Sequence, residues 1–282
     1  MDRDGLFVAG VRCLPRRRLS RWARRAVDIH SAMAVRRFAA AYGIDLSDAE
    51  RPLEAYRSIH DLFVRKLRPG ARPVDPAPEA LVSPVDGRVS QRGACDGPLP
   101  QAKGRAYTVD ALLAGAEPAE TYRAGSFVTV YLAPRDYHRI HAPLEGRVDR
   151  WTHVPGDLFP VNEASVTHVD QLFARNERLI THLDTERFGR VAVVKVGATI
   201  VGRVRASYAP EITTNVPTVR EVRSEAIRPA KDVLRGEEIG VFEMGSTVIV
   251  LTERPVRWTV EPGDAVRLGQ RLGVAAPDAQ AA

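Results

Sequence analysis

The sequence predicts an α+β fold, in which N-terminal amphipathic helices precede a β-rich, mostly antiparallel domain. The longer stretches of helical spacing lie within residues 1–70, whereas from Leu81 onward short Val-rich runs alternate with Gly and Pro turns. With 282 residues and 44% hydrophobic content, the chain can bury a substantial core. Cys13 and Cys95 are the only cysteines, which excludes a disulfide framework and suits a reducing compartment.

Positive charge is concentrated at the N-terminus. The formal net charge is +6, yet residues 1–37 carry ten arginines against three aspartates, and the remainder carries 31 basic and 32 acidic residues. A nucleic-acid-binding protein would more often spread its basic residues over a folded face with aromatic residues among them, so we expect no nucleic acid partner. A basic N-terminal segment beside a near-neutral domain favours an anionic membrane surface.

Residues 19–42 have the spacing of an amphipathic helix. Arginines flank an apolar stripe, which consists of Leu19, Trp22, Ala26, Ile29 and Met33. This pattern is typical of a helix that lies in the membrane interface; a helix packed against the rest of the protein is the alternative, and both can hold. No apolar stretch approaches the roughly 18–20 residues that span a bilayer. The N-terminus also lacks the apolar core of a signal peptide.

Local patterns predict the remaining elements. A second helix is predicted over residues 59–67, beginning after Ser58 and stopped by Pro69-Gly70, and a proline-rich linker follows at residues 72–79. Short helices are predicted at residues 109–113 and around residues 169–174. Strands are predicted at residues 87–89, 127–132, 146–148, 190–204, 238–253, 256–260 and 266–274.

The segment 240–251 contains an unusual break in a strand-like pattern. Gly245, Ser246 and Thr247 separate two short Val- and Ile-rich runs that suit buried strands. Glycine weakens a strand interior and often marks a bend or a close backbone approach. Taken alone, this segment indicates a polar break at a strand junction; the alternative is a serine that takes part in chemistry.

Two other segments carry groups capable of acid–base chemistry. Asp86 lies in a turn framed by Pro and Gly, where it either bonds its own turn backbone or orients an imidazole. His138 and His141 lie in a proline-bounded loop directly after an apolar run. They could supply two metal ligands, with Asp86 or Asp136 as a third. Alternatively, one is a general base and the other a donor near the reacting centre.

An ordered series of segments resembles the phosphatidylserine decarboxylase family, in its bacterial, membrane-associated, pyruvoyl-dependent and self-processing form. The resemblance covers nearly the whole chain. It is carried by the Asp86 turn, the loop with His138 and His141, Gly245-Ser246-Thr247, and residues 61–67, 72–73, 101–104, 112–115, 155–162, 172–178, 196–202 and 236–240. Each segment is weak evidence alone, whereas the ordered set is specific.

The resemblance implies that the chain cleaves itself between Gly245 and Ser246 into a β chain of residues 1–245 and an α chain of residues 246–282. Asp86, His141 and Ser246 would form the cleavage triad. His141, oriented by Asp86, would deprotonate Ser246, whose oxygen then attacks the carbonyl of Gly245. Elimination and loss of ammonia would leave a covalent pyruvoyl group at position 246. The implied cofactor is therefore pyruvate, with no metal.

The resemblance also implies the reaction and its setting. The pyruvoyl group would form a Schiff base with phosphatidylserine and accept the electrons left by departing CO₂, giving phosphatidylethanolamine in phospholipid biosynthesis. His138 would serve this step by positioning the carboxylate or delivering a proton. The two chains would stay together as a heterodimer, with further oligomerisation left open. The basic helix at residues 16–38 would hold the enzyme peripherally on the cytoplasmic side of the cell membrane.

In this scheme residues 1–70 are a helical, basic, membrane-associating segment and residues 71–282 form the β-rich catalytic domain. Two other functions compete with it. A zinc hydrolase would use His138, His141 and a carboxylate, and it predicts bound metal and an intact chain. A carrier or binding module is the third possibility, because residues 260–270 and the Asp86 turn resemble biotinyl and lipoyl domains. No lysine is suitably placed on a hairpin tip for that role.

Overall fold

The N-terminal region of the computed structural model is helical. The structure describes residues 3–102, 104–199, 203–216, 218–243 and 247–276. The first elements are α1 (Arg3–Cys13), α2 (Arg16–Val27), α3 (Ala32–Tyr42), a 3₁₀ turn (Leu53–Ala55) and α4 (Ile59–Phe63). Residues 19–42 thus form two helices rather than one, because Ser31 caps α3 by accepting a hydrogen bond from Ala34 N at 3.2 Å. Helix α4 is shorter than the predicted 59–67.

From Ala80 onward the regular secondary structure of the described chain is mostly strand. The strands are β1 (Ala80–Val82), β2 (Gly87–Ala94), β3 (Leu99–Ala102), β4 (Arg105–Tyr107), β5 (Ser126–Tyr131), β6 (Arg139–His141), β7 (Gly146–Val154), β8 (Arg178–Thr185), β9 (Gly189–Val196), β10 (Val204–Ala206), β11 (Arg223–Val233), β12 (Glu238–Phe242), β13 (Thr247–Thr252), β14 (Val256–Trp258), β15 (Ala265–Val266) and β16 (Arg271–Ala275). Between them lie α5 (Val109–Leu113), a 3₁₀ turn (Ala119–Tyr122), α6 (Glu163–His168) and α7 (Leu172–Arg175). The predicted helix at 109–113 is confirmed.

An eight-stranded sheet in the order β11-β7-β8-β9-β13-β5-β2-β15 forms the centre of the molecule. Its neighbouring strands are antiparallel, and every residue of β13 is buried between β9 and β5. Alternate residues of a strand point to opposite faces. Accordingly, Val248 and Val250 join one core, while Ile249 and Leu251 join the other. The α+β class with a mostly antiparallel β-rich domain, predicted from the sequence, is confirmed.

Different layers cover the two faces of this sheet. The core that contains Val248 also contains Ile140, Val204 and Phe242, so the small sheet β10-β12-β6 covers that face. The core that contains Ile249 instead receives side chains from α1, α5 and α7. Each fully buried aliphatic or aromatic side chain contributes roughly 1.5–3 kcal/mol. In the described residues, no helix is long and apolar enough to cross a membrane.

One end of the large sheet gathers segments that are distant in sequence. Because the strands alternate in direction, the start of β13 lies beside the end of β5 and the end of β9, and the start of β2 follows next to β5. We call this the site end and define it by Asp86, Leu132, Gly197 and Thr247. The Asp86 turn, the histidine loop and the start of β13 therefore meet there.

Candidate active site

His141 lies on β6 at the site end with both ring nitrogens engaged. Its Nδ1 is 2.8 Å from the carbonyl oxygen of Gly236, and its Nε2 is 3.2 Å from the hydroxyl oxygen of Tyr137. A carbonyl oxygen can only accept, so Nδ1 carries the proton and Nε2 presents its lone pair. Burial lowers the pKa of His141, and the bond to Gly236 offsets this in part. The ring is therefore a neutral base at pH 7.

Asp86 is buried and held by a firm set of donors. The guanidinium of Arg72 donates from Nε to Oδ1 at 3.0 Å and from Nη2 to Oδ2 at 2.6 Å, and Leu268 N donates to Oδ1 at 2.8 Å. Arg72 also donates to Asp48 at 2.7 Å. This arrangement fixes the carboxylate in position. The same turn is tied to β6, because Pro84 O accepts from the backbone N of His141 at 2.9 Å.

The structure therefore brings Asp86 and His141 to one place without joining their side chains directly in the described contacts. Gly236 O, not the carboxylate of Asp86, is the observed partner of His141 Nδ1. The carboxylate does act through space, because its charge is one of the factors that raise the pKa of His141 against the larger effect of burial. The orienting role of Asp86 stays a prediction.

His138 is completely buried in the loop before β6. Its Nδ1 lies 2.8 Å from Asp136 O, and its ring packs on Phe63 with 3.9 Å between ring centroids. Burial lowers the pKa of His138 to about 3, so the ring is neutral. Its Nε2 has no hydrogen-bond partner among the described residues. A buried polar atom normally has a partner, so this nitrogen is a candidate contact for a group outside the described residues.

The strand that leads to the predicted cleavage point runs beside both histidines. Strand β12 pairs with β6, placing Glu238 opposite His141 and Val241 opposite Arg139, and Phe242 N donates to His138 O at 3.0 Å. Gly245 and Ser246 lie outside the described residues. On their far side, Thr247 pairs with both Tyr131 and Val196. Hydrogen bonds and strand pairing thus fix Phe242 and Thr247, which lie on either side of residues 244–246.

Two cavities adjoin the site end. One has a volume of about 440 Å³ and is lined by Asp86, Arg72 and Tyr137 among others. The second, of about 590 Å³, is lined by Thr247 together with apolar side chains such as Phe173. Both cavities are lined by Arg88 and Tyr131. A polar cavity and a more apolar one therefore meet beside the start of β13.

Hydrogen bonds connect three further segments at this end, residues 155–162, 172–178 and 196–202. The sequence leaves open whether these segments line a pocket or form turns. The side chain of Asn176 donates to Phe159 O and Gly197 O, each at 2.9 Å, and accepts from Phe159 N at 3.0 Å. Arg178 is buried and donates to Leu112 O at 2.7 Å. These residues brace the site, and Phe173 also lines a cavity. Residues 200–202 lie outside the described part.

The sequence analysis does not identify several residues that contact the predicted site residues. Gly236, Arg72, Phe63 and Tyr137 contact His141, Asp86 or His138 from elsewhere in the chain or in the loop. Tyr137 had a signal, since it directly precedes His138. Arg72 and Phe63 belong to segments of the family resemblance, but no pattern assigns them a contact.

The geometry gives little support to the two competing functions, a zinc hydrolase and a carrier module. Among the described residues, no group of three or more His, Cys, Asp or Glu side chains is arranged to hold a metal ion. The zinc alternative therefore finds no ligand set there. Residues 260–270 contain the short strand β15, which pairs with β2 and extends the large sheet. This segment is thus part of the main domain.

Comparison with known proteins decides the family. The family model described as phosphatidylserine decarboxylase matches residues 59–274. The chain belongs to the phosphatidylserine decarboxylase family. It is 46% identical to the phosphatidylserine decarboxylase proenzyme of Myxococcus xanthus, covering 96% of this chain and 99% of that protein. It is 48% identical to the proenzyme of an Anaeromyxobacter species (97% and 99%) and 46% identical to that of Brevibacillus brevis (86% and 88%). Membership of the phosphatidylserine decarboxylase family makes the chain a lyase, as the resemblance predicted.

Proposed function

We propose that the chain is a self-processing, pyruvoyl-dependent phosphatidylserine decarboxylase, cut between Gly245 and Ser246. The observation that carries the proposal is the neutral His141, which presents its Nε2 as an acceptor and lies on β6, the strand paired with the one leading to these residues. The proenzyme names of the relatives support cleavage of a precursor. A serine hydroxyl needs such a base before it can attack.

The cleavage step follows from these groups. His141 Nε2 takes the hydroxyl proton of Ser246, and the serine oxygen attacks the carbonyl carbon of Gly245, so that the amide becomes an ester. Loss of the Cα proton of residue 246 breaks the ester C–O bond and frees the carboxylate of Gly245. One water then replaces the nitrogen of residue 246, which leaves as ammonia. Asp86 is the fixed negative charge that favours the imidazolium of His141 in this step.

The resulting pyruvoyl carbonyl supplies an electron sink that ordinary side chains lack. His138 has the chemistry for the second stage, because its buried Nε2 is unpaired among the described residues. A substrate carboxylate beside it would raise its pKa and favour the protonated ring. His138 then positions that carboxylate and returns a proton to the carbon that loses CO₂. The product class is the matching ethanolamine phospholipid.

The position of β13 supports an enduring pair of chains. Cleavage before Thr247 assigns β13 to the α chain, although this strand lies between β5 and β9 of the β chain. Six residues of β13 pair on each side, and all are buried. The two products therefore remain one folded heterodimer.

Helix α2 supports a peripheral position on an anionic membrane at the cytoplasmic side. It binds the protein with its polar face: Arg16 pairs with Asp157 at 3.0 Å, and Ser20 accepts from Asn215 at 3.3 Å. Its largest apolar side chain points outward, with Trp22 75% exposed. Other large exposed apolar residues of the N-terminal helical region are Phe7, Leu14, Leu19, Ile29, Met33 and Tyr42. Such an apolar surface next to arginines fits a lipid interface.

Intact mass under denaturing conditions tests the proposal. The wild-type chain should give two fragments, the smaller beginning at position 246 with a blocked N-terminus. Their summed mass should equal the precursor plus one water minus one ammonia. Ser246→Ala should remain one chain and release no CO₂ from phosphatidylserine vesicles. An uncut wild-type chain that still turns over lipid would refute the proposal.

A further inference from the structure

Glu243 is the last described residue before the predicted cleavage point, and three basic side chains surround its carboxylate. Its Oε2 lies 3.5 Å from Nε of Arg24, 3.7 Å from Nε of Arg203 and 4.0 Å from Nε2 of His60. The Glu243 side chain is only 13% exposed. These groups come from α2, from the segment before β10 and from α4, so one carboxylate joins three separate parts of the fold.

Backbone hydrogen bonds also hold Glu243 in place, so this residue is a fixed point before the segment that follows. Glu243 N donates to Arg203 O at 3.0 Å, and Arg203 in turn donates to Thr213 Oγ1 at 2.8 Å. On the other side, Thr247 is fixed by its two strand partners. Glu243 and Thr247 are therefore the two fixed residues, or anchors, that flank positions 244–246. The downstream anchor is the large sheet, whereas the upstream anchor combines the backbone bonds of β12 and Glu243 with the ion pairs of the Glu243 carboxylate.

Helix α2 reaches this anchor with the face that holds it to the protein. Arg16, Ser20 and Arg24 are spaced by four residues and so lie on one face, and each contacts the site end: Asp157, Asn215 and Glu243 respectively. A second acid supports the network, because Asp28 lies 3.2 Å from Nδ1 of His60. The position of α2 and the position of Glu243 are thus coupled through charge.

We propose that Glu243 is a positioning residue for self-cleavage, which ties the segment with the scissile bond to α2 through Arg24. The inference rests on the proposed function, since it needs cleavage between Gly245 and Ser246. Nucleophilic attack on a neighbouring carbonyl depends on the backbone angle between them, so a loosened anchor lowers the fraction of chains in the reactive geometry. Docked α2 is then a condition for rapid maturation.

The test measures the rate of self-cleavage of the full chain after synthesis in a cell-free system, followed on denaturing gels. Glu243→Gln keeps the shape and removes the charge, and Arg24→Met removes the partner. We expect cleavage to slow about fivefold or more in each variant, as coupling energies of such pairs imply. Arg24→Lys should recover most of the rate. Glu211→Gln, which changes an exposed carboxylate of the body, is the matched control and should cleave normally.

The double variant Arg24→Met, Glu243→Gln separates positioning from general destabilisation. If the two residues act through each other, the double variant should cleave no more slowly than the slower single variant. Multiplying effects, or a wild-type rate in Glu243→Gln, would overturn the inference. Should Glu243→Gln fail to fold, Arg24→Met on the outer helix decides, and a wild-type rate there also overturns it. An uncut wild-type chain would instead reject the proposed function.

Discussion

The ring of His138 lies against the ring of Phe63, with 3.9 Å between centroids and an angle of 40° between planes. The chain at the end of α4 both donates hydrogen bonds to the histidine loop and accepts them from it. Arg65 donates to Arg135 O at 2.8 Å, and Arg139 donates back to Val64 O at 3.0 Å. The end of α4 therefore fixes the place of His138 in the site.

We predict that Phe63→Leu impairs decarboxylation more than self-cleavage. Leucine keeps most of the buried volume, whereas alanine would leave a cavity costing about 3–5 kcal/mol. Loss of the ring lets His138 turn, so we expect kcat on phosphatidylserine vesicles to fall roughly tenfold or more. The measurement compares kcat with the extent of cleavage on gels. Phe38→Leu, a change in the neighbouring ring, is the control; equal losses in both variants would contradict the prediction.

The rate of self-cleavage should be insensitive to pH in the neutral range. His141 must be unprotonated to act as base, and burial lowers its pKa below the ordinary value of about 6.5. The rate therefore stays constant as pH falls from about 8 to 6.5 and declines only at lower pH. Tyr137→Phe removes a donor that stabilises the neutral ring, which should move the decline to higher pH. A shift in the opposite direction would exclude this role for Tyr137.

Asp86→Asn should slow self-cleavage by roughly 10³-fold or more, as loss of the carboxylate does in related triads. The change also leaves Arg72 with a weaker partner, so the effect could be structural. Arg72→Met addresses this, because it removes the guanidinium but leaves the charge of Asp86 and its bond from Leu268 N. We expect a much smaller effect from Arg72→Met. Equal rates in the two variants would assign Asp86 a purely structural role.

Lys195 should make the free energy of unfolding depend on pH. Its side chain is completely buried and donates to Thr181, and burial lowers its pKa to about 7. The unfolded chain therefore binds more protons between about pH 7 and 10, so stability rises with pH over that window. Lys195→Met should flatten this rise and stabilise the fold at pH 7 by on the order of a few kcal/mol. Urea unfolding at several pH values measures both effects.

Trp22→Ala should reduce binding to vesicles that contain anionic lipid by roughly tenfold, because a large apolar side chain is worth about 1.5–3 kcal/mol when buried. Flotation of the full chain with phosphatidylglycerol vesicles measures it. Leu234→Ala removes a similarly exposed apolar residue, 71% exposed, from the β-rich domain. If both variants float equally well, α2 is not the membrane contact.

The sequence predicts this fold well where the pattern is local. The Val-rich runs predict the buried strands, and the apolar residues of 109–113 predict α5, because such periodic patterns act within a few residues. The break at Ser31 is missed, since the apolar spacing continues across it. The separate helix α6 is missed as well.

The site is predicted in its groups but not in their partners. Asp86, His138 and His141 could be named from the sequence, and the fold brings them to one end of a sheet. The hydrogen bonds of Asp86 to Arg72 and of His141 to Gly236 could not, because tertiary packing rather than a local pattern brings these partners together. Gly236 is 95 residues away from His141. Gly245 and Ser246 lie outside the described residues, so their roles stay predictions.

The location of β13 has a consequence for the life history of the molecule. A precursor that unfolds carries its central strand with it and can return to the native state by itself. Once the backbone is cut before Thr247, that strand belongs to a separate short peptide. Refolding then requires the two chains to associate, so it becomes less efficient on dilution. After maturation, unfolding would thus become irreversible in practice. The lifetime of the mature enzyme would then depend on a slow rate of unfolding.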